Sequence, residues 1–185
     1  MADATAQLST FKALIANADP PSLGPERRPG TTNEAELGRK LDGFFAAHKI
    51  SARAQPLPRS AALLWHDHLD ASHTISPSIE TRDGSWLHGI MHRREPDYGN
   101  AKYWFRRVGR HDAFPKLAER VAELLHNDGR ELTERLIEKG EWMPLAFVDE
   151  CERAGQGRDA ALTATLRQVQ AAEFDSLLEY ILAGA

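Results

Sequence analysis

Eight histidines stand out in this chain of 185 residues, and six of them fall between His66 and His111. Their spacing sorts them. His66, Asp70 and His73 stand at i, i+4 and i+7, which at about 100° per residue places them on one narrow stripe of a helix. His88, His92 and Glu95 repeat the same spacing. Ala62, Leu63 and Leu69 flank the first stripe and Met91 the second, so both are expected to face the interior, with Asp67 and His68 pointing elsewhere. Imidazole and carboxylate are the usual ligands of zinc, iron, nickel and manganese, and helical bundles build such sites from facing helices. The spacing therefore predicts a divalent metal held by His66, Asp70, His73, His88 and His92, with Glu95 as general base or further ligand. Water on an open coordination position becomes a nucleophile near neutral pH. Hydrolysis or hydration of a small anionic substrate follows as the reaction class, with redox chemistry left open. Two metal-free readings stand beside it. One is a polar catalytic or binding pocket; the other is structural pairing, His66 with Asp70 and His92 with Glu95.

His88 to His92 reads HGIMH. It lacks the glutamate after the first histidine that the metalloprotease helix requires. The doublet His66-Asp67 in ALLWHDHL resembles the His-Asp doublet of HD-domain metal phosphohydrolases. The resemblance covers this helix alone. It implies an earlier histidine and a later aspartate as further ligands, for which His48 and Asp149 are the available placements, and a divergent HD-like phosphohydrolase as an alternative function. A non-catalytic metal- or ligand-binding module is the other alternative.

Next to the second histidine triad lies a basic aromatic segment. Residues 86–111 hold six lysines and arginines against Glu95 and Asp97, a local charge of +4 inside a chain of net −4, and Trp86, Tyr98, Tyr103, Trp104 and Phe105 are interleaved with them. Such a mixture suits an anion or a stacked ring, and Arg106-Arg107, directly after the aromatic cluster, suit a bidentate clamp on an anion. Asn100, Lys102, Tyr103 and Arg106 are expected to line a pocket opening onto the histidines, with Glu95 and Arg106 as its catalytic residues. In the plainer alternative the arginines pair with the acidic remainder and the aromatics are core. Single-stranded nucleic acid would use the same residue types, but the acidic remainder disfavours it.

The elements that must carry these residues read as helices. Apolar positions at helical spacing mark 5–17, then a helix starting near Thr32 or Asn33 with the face Leu37, Leu41, Phe44, Phe45 and His48. Glu36 stands as capping-box partner of Asn33. A third helix is expected from Ser60 to Ser76, a fourth from Ser85 to just before Pro96, and PDYGN (96–100) as a turn before a short helix or extended piece. Further helices are predicted at 117–126, 131–139, 144–153, 159–170 and 172–183. Residues 19–30 carry four prolines and two glycines and read as a loop or linker. Strand signals are nearly absent. The expectation is one all-α domain spanning 1–185, a helical bundle with a histidine-rich central hairpin.

Composition narrows the rest. Hydrophobic residues at 42% and charged residues at 27% are ordinary for a globular protein with a core. The single Cys151 excludes an internal disulfide and reads as a small buried apolar residue rather than a nucleophile. No dinucleotide fingerprint, P-loop or nucleophile elbow occurs. Without a basic leader and apolar run, or a stretch long enough to span a bilayer, a cytoplasmic protein off the membrane is expected. The apolar stripe Phe174, Leu177, Leu178, Ile181 and Leu182 reads as core, with a homodimer face as its alternative.

Overall fold

The computed structural model describes residues 2–76, 79–126, 129–157 and 159–183. The described chain is all-α apart from one two-stranded hairpin. Its elements in order are α1 (Ala2–Leu14), α2 (Glu34–Ala47), α3 (Pro56–Trp65), α4 (Leu69–Ile75), α5 (Arg82–Arg94), α6 (Tyr98–Val108), α7 (Phe114–Leu124), α8 (Arg130–Leu136), β1 (Ile137–Glu138), β2 (Glu141–Trp142), α9 (Pro144–Gln156) and α10 (Ala160–Ala183). Half of the capping box expected for α2 is present: the Asn33 side chain accepts from the Glu36 backbone N–H at 3.0 Å, while the Glu36 carboxylate accepts from the Asn33 side-chain amide at 3.4 Å rather than from its backbone N–H.

Several boundaries differ from expectation. Helices α3, α5 and α7 start three or four residues early, at Pro56, Arg82 and Phe114, and Tyr98, Gly99 and Asn100 of the expected turn PDYGN form the first turn of α6, capped by the Asp97 side chain. The helices predicted at 159–170 and 172–183 are one, α10. The helix predicted at 131–139 stops at Leu136, because Lys139 and Gly140 take positive φ angles of 53° and 79° and fold a tight antiparallel hairpin. Most important for the site, the helix expected from Ser60 to Ser76 is broken in two. Asp67 adopts a φ of 63°, the Asp67 N–H reaches the Leu64 carbonyl at 3.2 Å, and the His68 N–H reaches the Leu63 carbonyl at 2.9 Å. This is a Schellman ending with aspartate in the left-handed position, which aspartate tolerates better than most residues. The chain turns there and resumes as α4.

Buried charge holds that turn. Asp67 Oδ2 accepts from Arg28 N at 2.9 Å and Arg28 Nε at 2.8 Å, and Asp67 Oδ1 accepts from Arg94 at 2.7 Å. Burial opposes ionisation of Asp67, but the Arg28 hydrogen bonds, with Arg94 behind them, outweigh it and hold the carboxyl below its usual range. A second buried pair joins Arg93 to Glu173 at 2.5 Å, and Trp86 Nε1 donates to the same carboxylate at 3.1 Å. Arg93 and Arg94 of the basic segment are thus core residues paired with acids.

The proline-rich stretch 19–30 is a strap tied down through its carbonyls. Proline donates no backbone hydrogen bond, and long side chains from the helices supply donors. Arg94 reaches the Gly24 carbonyl at 3.3 Å, Gln170 reaches Pro21 and Ser22 at 3.2 and 3.0 Å, and Arg167 reaches Pro20 at 2.5 Å. Arg28, from the strap itself, donates to the carbonyls of Asp19 and Trp65.

Helix α5 is the centre of the fold. Every residue from Gly84 to Arg94 is buried, with α3, α4 and α6 packed against it. Gly89 lets α6 approach: a Cβ there would lie 2.8 Å from the buried Phe105 ring. Gly89→Ala is expected to cost about 1–3 kcal/mol of stability, as overpacking of a filled core does. Urea titration checks this; an unchanged midpoint would show that the ring can yield.

Candidate metal centre

The fold brings three of the predicted ligands together. His88 and His92 stand one turn apart on α5, and α4 carries His73 to them. Their ring centroids form a near-regular triangle, with 4.8 Å between His88 and His92, 5.2 Å between His73 and His88, and 5.4 Å between His73 and His92. One ring nitrogen from each can be chosen so that all three lie within 4.8 Å of one another, close enough to hold a metal ion. Tetrahedral coordination with metal–nitrogen bonds of about 2.0–2.1 Å requires roughly 3.3 Å between ligand atoms. Side-chain rotations moving each nitrogen by about an ångström close that gap.

Each imidazole has distinct surroundings. His88 is buried and its Nδ1 has no hydrogen-bond partner among the described residues. A buried orphan of this kind costs about 1–3 kcal/mol unless something binds it. The His88 ring lies between His92 and Trp104, stacked on the indole at 4.0 Å and 8°. Burial, then the adjacent His92 and His73, push its pKa down to about 4. His92 is lowered too, chiefly by burial, against the opposing pull of Glu95. Glu95 Oε2 lies 3.1 Å from His92 Nδ1, and the Asn100 amide nitrogen lies 3.1 Å from His92 Nε2. An anionic carboxylate requires Nδ1 to carry the proton, which leaves the Nε2 lone pair to accept from Asn100. That tautomer is the one a metal needs at Nε2, and a carboxylate behind the ring is the usual device for fixing it.

Two predicted ligands stand elsewhere, and the break at Asp67 is the cause. His66 caps α3 instead of starting a stripe; its Nδ1 accepts from the Thr32 N–H at 3.1 Å. Burial and the nearby Arg28 push its pKa down to about 4. Asp70 is exposed and lines a cleft of about 330 Å³ with Glu34 and Glu95. The expected pairing of His66 with Asp70 does not form, whereas that of His92 with Glu95 does. The His66-Asp67 doublet is also committed otherwise, since both Asp67 oxygens carry arginine hydrogen bonds. His48 caps α2 and packs on Phe44 at 4.4 Å, and Asp149 pairs with Lys102.

Helix α6 presents a different set of residues from the one expected. Asn100 lies at the histidines. Lys102 turns to α9 and pairs with Asp149 and Glu152. Tyr103 is half exposed, and its hydroxyl accepts from Arg107 at 3.4 Å. Arg106 is exposed, two residues and hence about 200° of helix away from Trp104. The residues that share a face with Asn100 are Trp104 and Arg107, at i+4 and i+7. The sequence offers Arg107 only together with Arg106, as an anion clamp, and Trp104 only as one of the interleaved aromatics; the spacing that sorts the histidines singles out Trp104 and Arg107. Cys151 is buried, and burial pushes its thiol up to about 12, as fits an inert core residue. No helix among the described residues is long and apolar enough to cross a membrane. In comparisons with known proteins, no family model, curated protein or solved structure matches this chain.

Proposed function

We propose that His73, His88 and His92 together bind one divalent transition-metal ion, and that the resulting centre hydrolyses or hydrates a small anionic molecule. One observation carries the reading: three imidazoles converge at a place where His88 Nδ1 is buried without a partner. An all-nitrogen donor set suits zinc, iron or nickel better than the harder magnesium or calcium. Burial keeps the His88 and His92 rings neutral at neutral pH, so their lone pairs are available without competition from protons. Three protein ligands leave a position for water, whose pKa such an ion lowers toward 7. Glu95 fixes the His92 tautomer and stands ready to take a proton at its free oxygen. Asn100, released from His92 when Nε2 is coordinated, can hydrogen-bond to whatever occupies the open position.

Metal analysis by inductively coupled plasma mass spectrometry, with calorimetric titration of Zn(II), tests the centre. One equivalent is expected for the unaltered protein. His73→Ala or His88→Ala should lower affinity by at least about a hundredfold, more than the loss typical of an outer hydrogen-bond partner. Asp70→Asn should leave affinity unchanged, because the carboxylate is outside the triangle. Binding that survives His88→Ala, or is lost with Asp70→Asn, would refute the assignment. Tight binding of metal without turnover on a panel of esters, lactones and phosphate esters would leave a binding module and remove the enzyme.

A further inference from the structure

The basic side chains of α5 and α6 are almost all spoken for. Arg93 and Arg94 are buried on Glu173 and Asp67, Lys102 pairs with Asp149, and Arg110 reaches Glu141 at 3.3 Å. Among the described residues, Arg106 and Arg107 alone of the six have no carboxylate partner. They differ in how they are held. Arg106 makes no hydrogen bond or ring contact within the described chain. The Arg107 guanidinium lies 5.3 Å from the Trp104 ring and 5.9 Å from the Tyr103 ring, with Nη1 3.4 Å from the Tyr103 hydroxyl. An arginine resting on aromatic faces is preorganised, and its remaining donors form a fork that fits carboxylate or phosphate.

The indole that carries Arg107 also stacks on His88. With 5.3 Å from guanidinium to indole and 4.0 Å from indole to imidazole, the Arg107 guanidinium and the His88 ring are less than about 10 Å apart. Trp104 therefore keeps a cation without a carboxylate partner within about 10 Å of the three-histidine centre.

We infer that Arg107, placed by Trp104 and Tyr103, anchors the anionic end of a substrate whose reacting end sits at the three-histidine centre. The inference rests on the metal reading above. It narrows the substrate class to small molecules with two polar ends. Taking off a metal–oxygen bond of about 2 Å and a charge-assisted hydrogen bond of about 2.8 Å leaves at most roughly 5 Å between those ends. A terminal carboxylate or phosphate separated by up to about three carbons from the reacting carbonyl or phosphoryl group fits that length. Arg107, rather than Arg106, is the specificity-determining arginine.

Co(II)-loaded protein gives a direct readout, because anions entering the open position change its visible absorption. Acetate, then dicarboxylates from malonate to adipate, then inorganic phosphate are titrated in turn. The unaltered protein is expected to bind succinate or glutarate at least about tenfold more tightly than acetate, the gain from one added charge-assisted hydrogen-bond pair. Arg107→Gln should remove that preference while leaving the Co(II) spectrum and acetate affinity unchanged, and Arg106→Gln should leave all three as they were. A length preference that persists in Arg107→Gln, or none in the unaltered protein, overturns the anchor. Failure of Co(II) to occupy the histidines overturns the metal centre, and with it the anchor; loading without length preference overturns the anchor alone.

Discussion

Replacing Asp67 by alanine is expected to cost about 3–5 kcal/mol, the range for removing one partner of a buried ion pair. The side chain is fully buried and is the shared acceptor of Arg28 and Arg94, themselves almost fully out of solvent. Taking the carboxylate away leaves two cations facing each other in a place water does not reach. It also removes the group that favours the left-handed turn between α3 and α4. Urea denaturation of the metal-free protein measures the loss. Asp67→Asn separates the two effects, since asparagine accepts the same turn geometry but carries no charge. Asp67→Asn is expected to be nearly as destabilising as alanine, because the missing charge dominates. A midpoint within a few tenths of a molar of the parent would mean that the arginines find other acceptors. Because α4 carries His73, metal affinity should fall along with stability.

Acid should destabilise the metal-free protein earlier than its carboxylates alone would dictate. His66 and His88 both have pKa values held down to about 4 by burial. In the unfolded chain each titrates near its ordinary value of about 6.5. Between those two values the unfolded state binds protons that the folded state refuses. The histidines' contribution is therefore fully present above about pH 6.5 and is lost as pH falls toward 4. The depressed pKa of Asp67 acts in the same sense but at lower pH, so the two windows separate. About 2 kcal/mol per histidine is expected between pH 7 and 4.5, allowing for partial solvent screening. Denaturant titrations at half-unit pH steps read this slope. His66→Gln should flatten the slope by about half, and an unaltered slope in that variant would remove His66 as a cause.

Local chemistry was readable from the sequence; long-range chemistry was not. His88 and His92 share a helix face by spacing alone, and Asn33 with Glu36 announced the start of α2. The break after Trp65 could not be seen, because it depends on Arg28, 39 residues away, turning Asp67 inward. An uninterrupted pattern ALLWHDHLDASH satisfies helical periodicity whether or not the chain bends in the middle. That one turn removed His66 and Asp70 from the triangle and kept His73. In the basic segment the pairing of arginines with acids is legible as the plainer reading, and four of the six cations do pair, but which ones is not legible. Charge along a sequence does not distinguish an arginine stacked on a surface indole from one that crosses the core to Glu173.

The strap over residues 19–30 has a consequence for the order in which the chain folds. Its anchors Arg167 and Gln170 lie 146 to 149 residues further along. Pairings so distant in sequence carry a large loop-closure cost and form late. During synthesis the prolines emerge long before α10 exists to receive them. The helices around α5, with Arg28 on Asp67, are expected to assemble first, and docking of Pro20, Pro21 and Ser22 on α10 to follow. A folding intermediate with the central helices formed, Arg28 already on Asp67 and the carbonyls of Pro20, Pro21 and Ser22 not yet met by α10 is expected, and it would be most exposed to proteases ahead of Arg28.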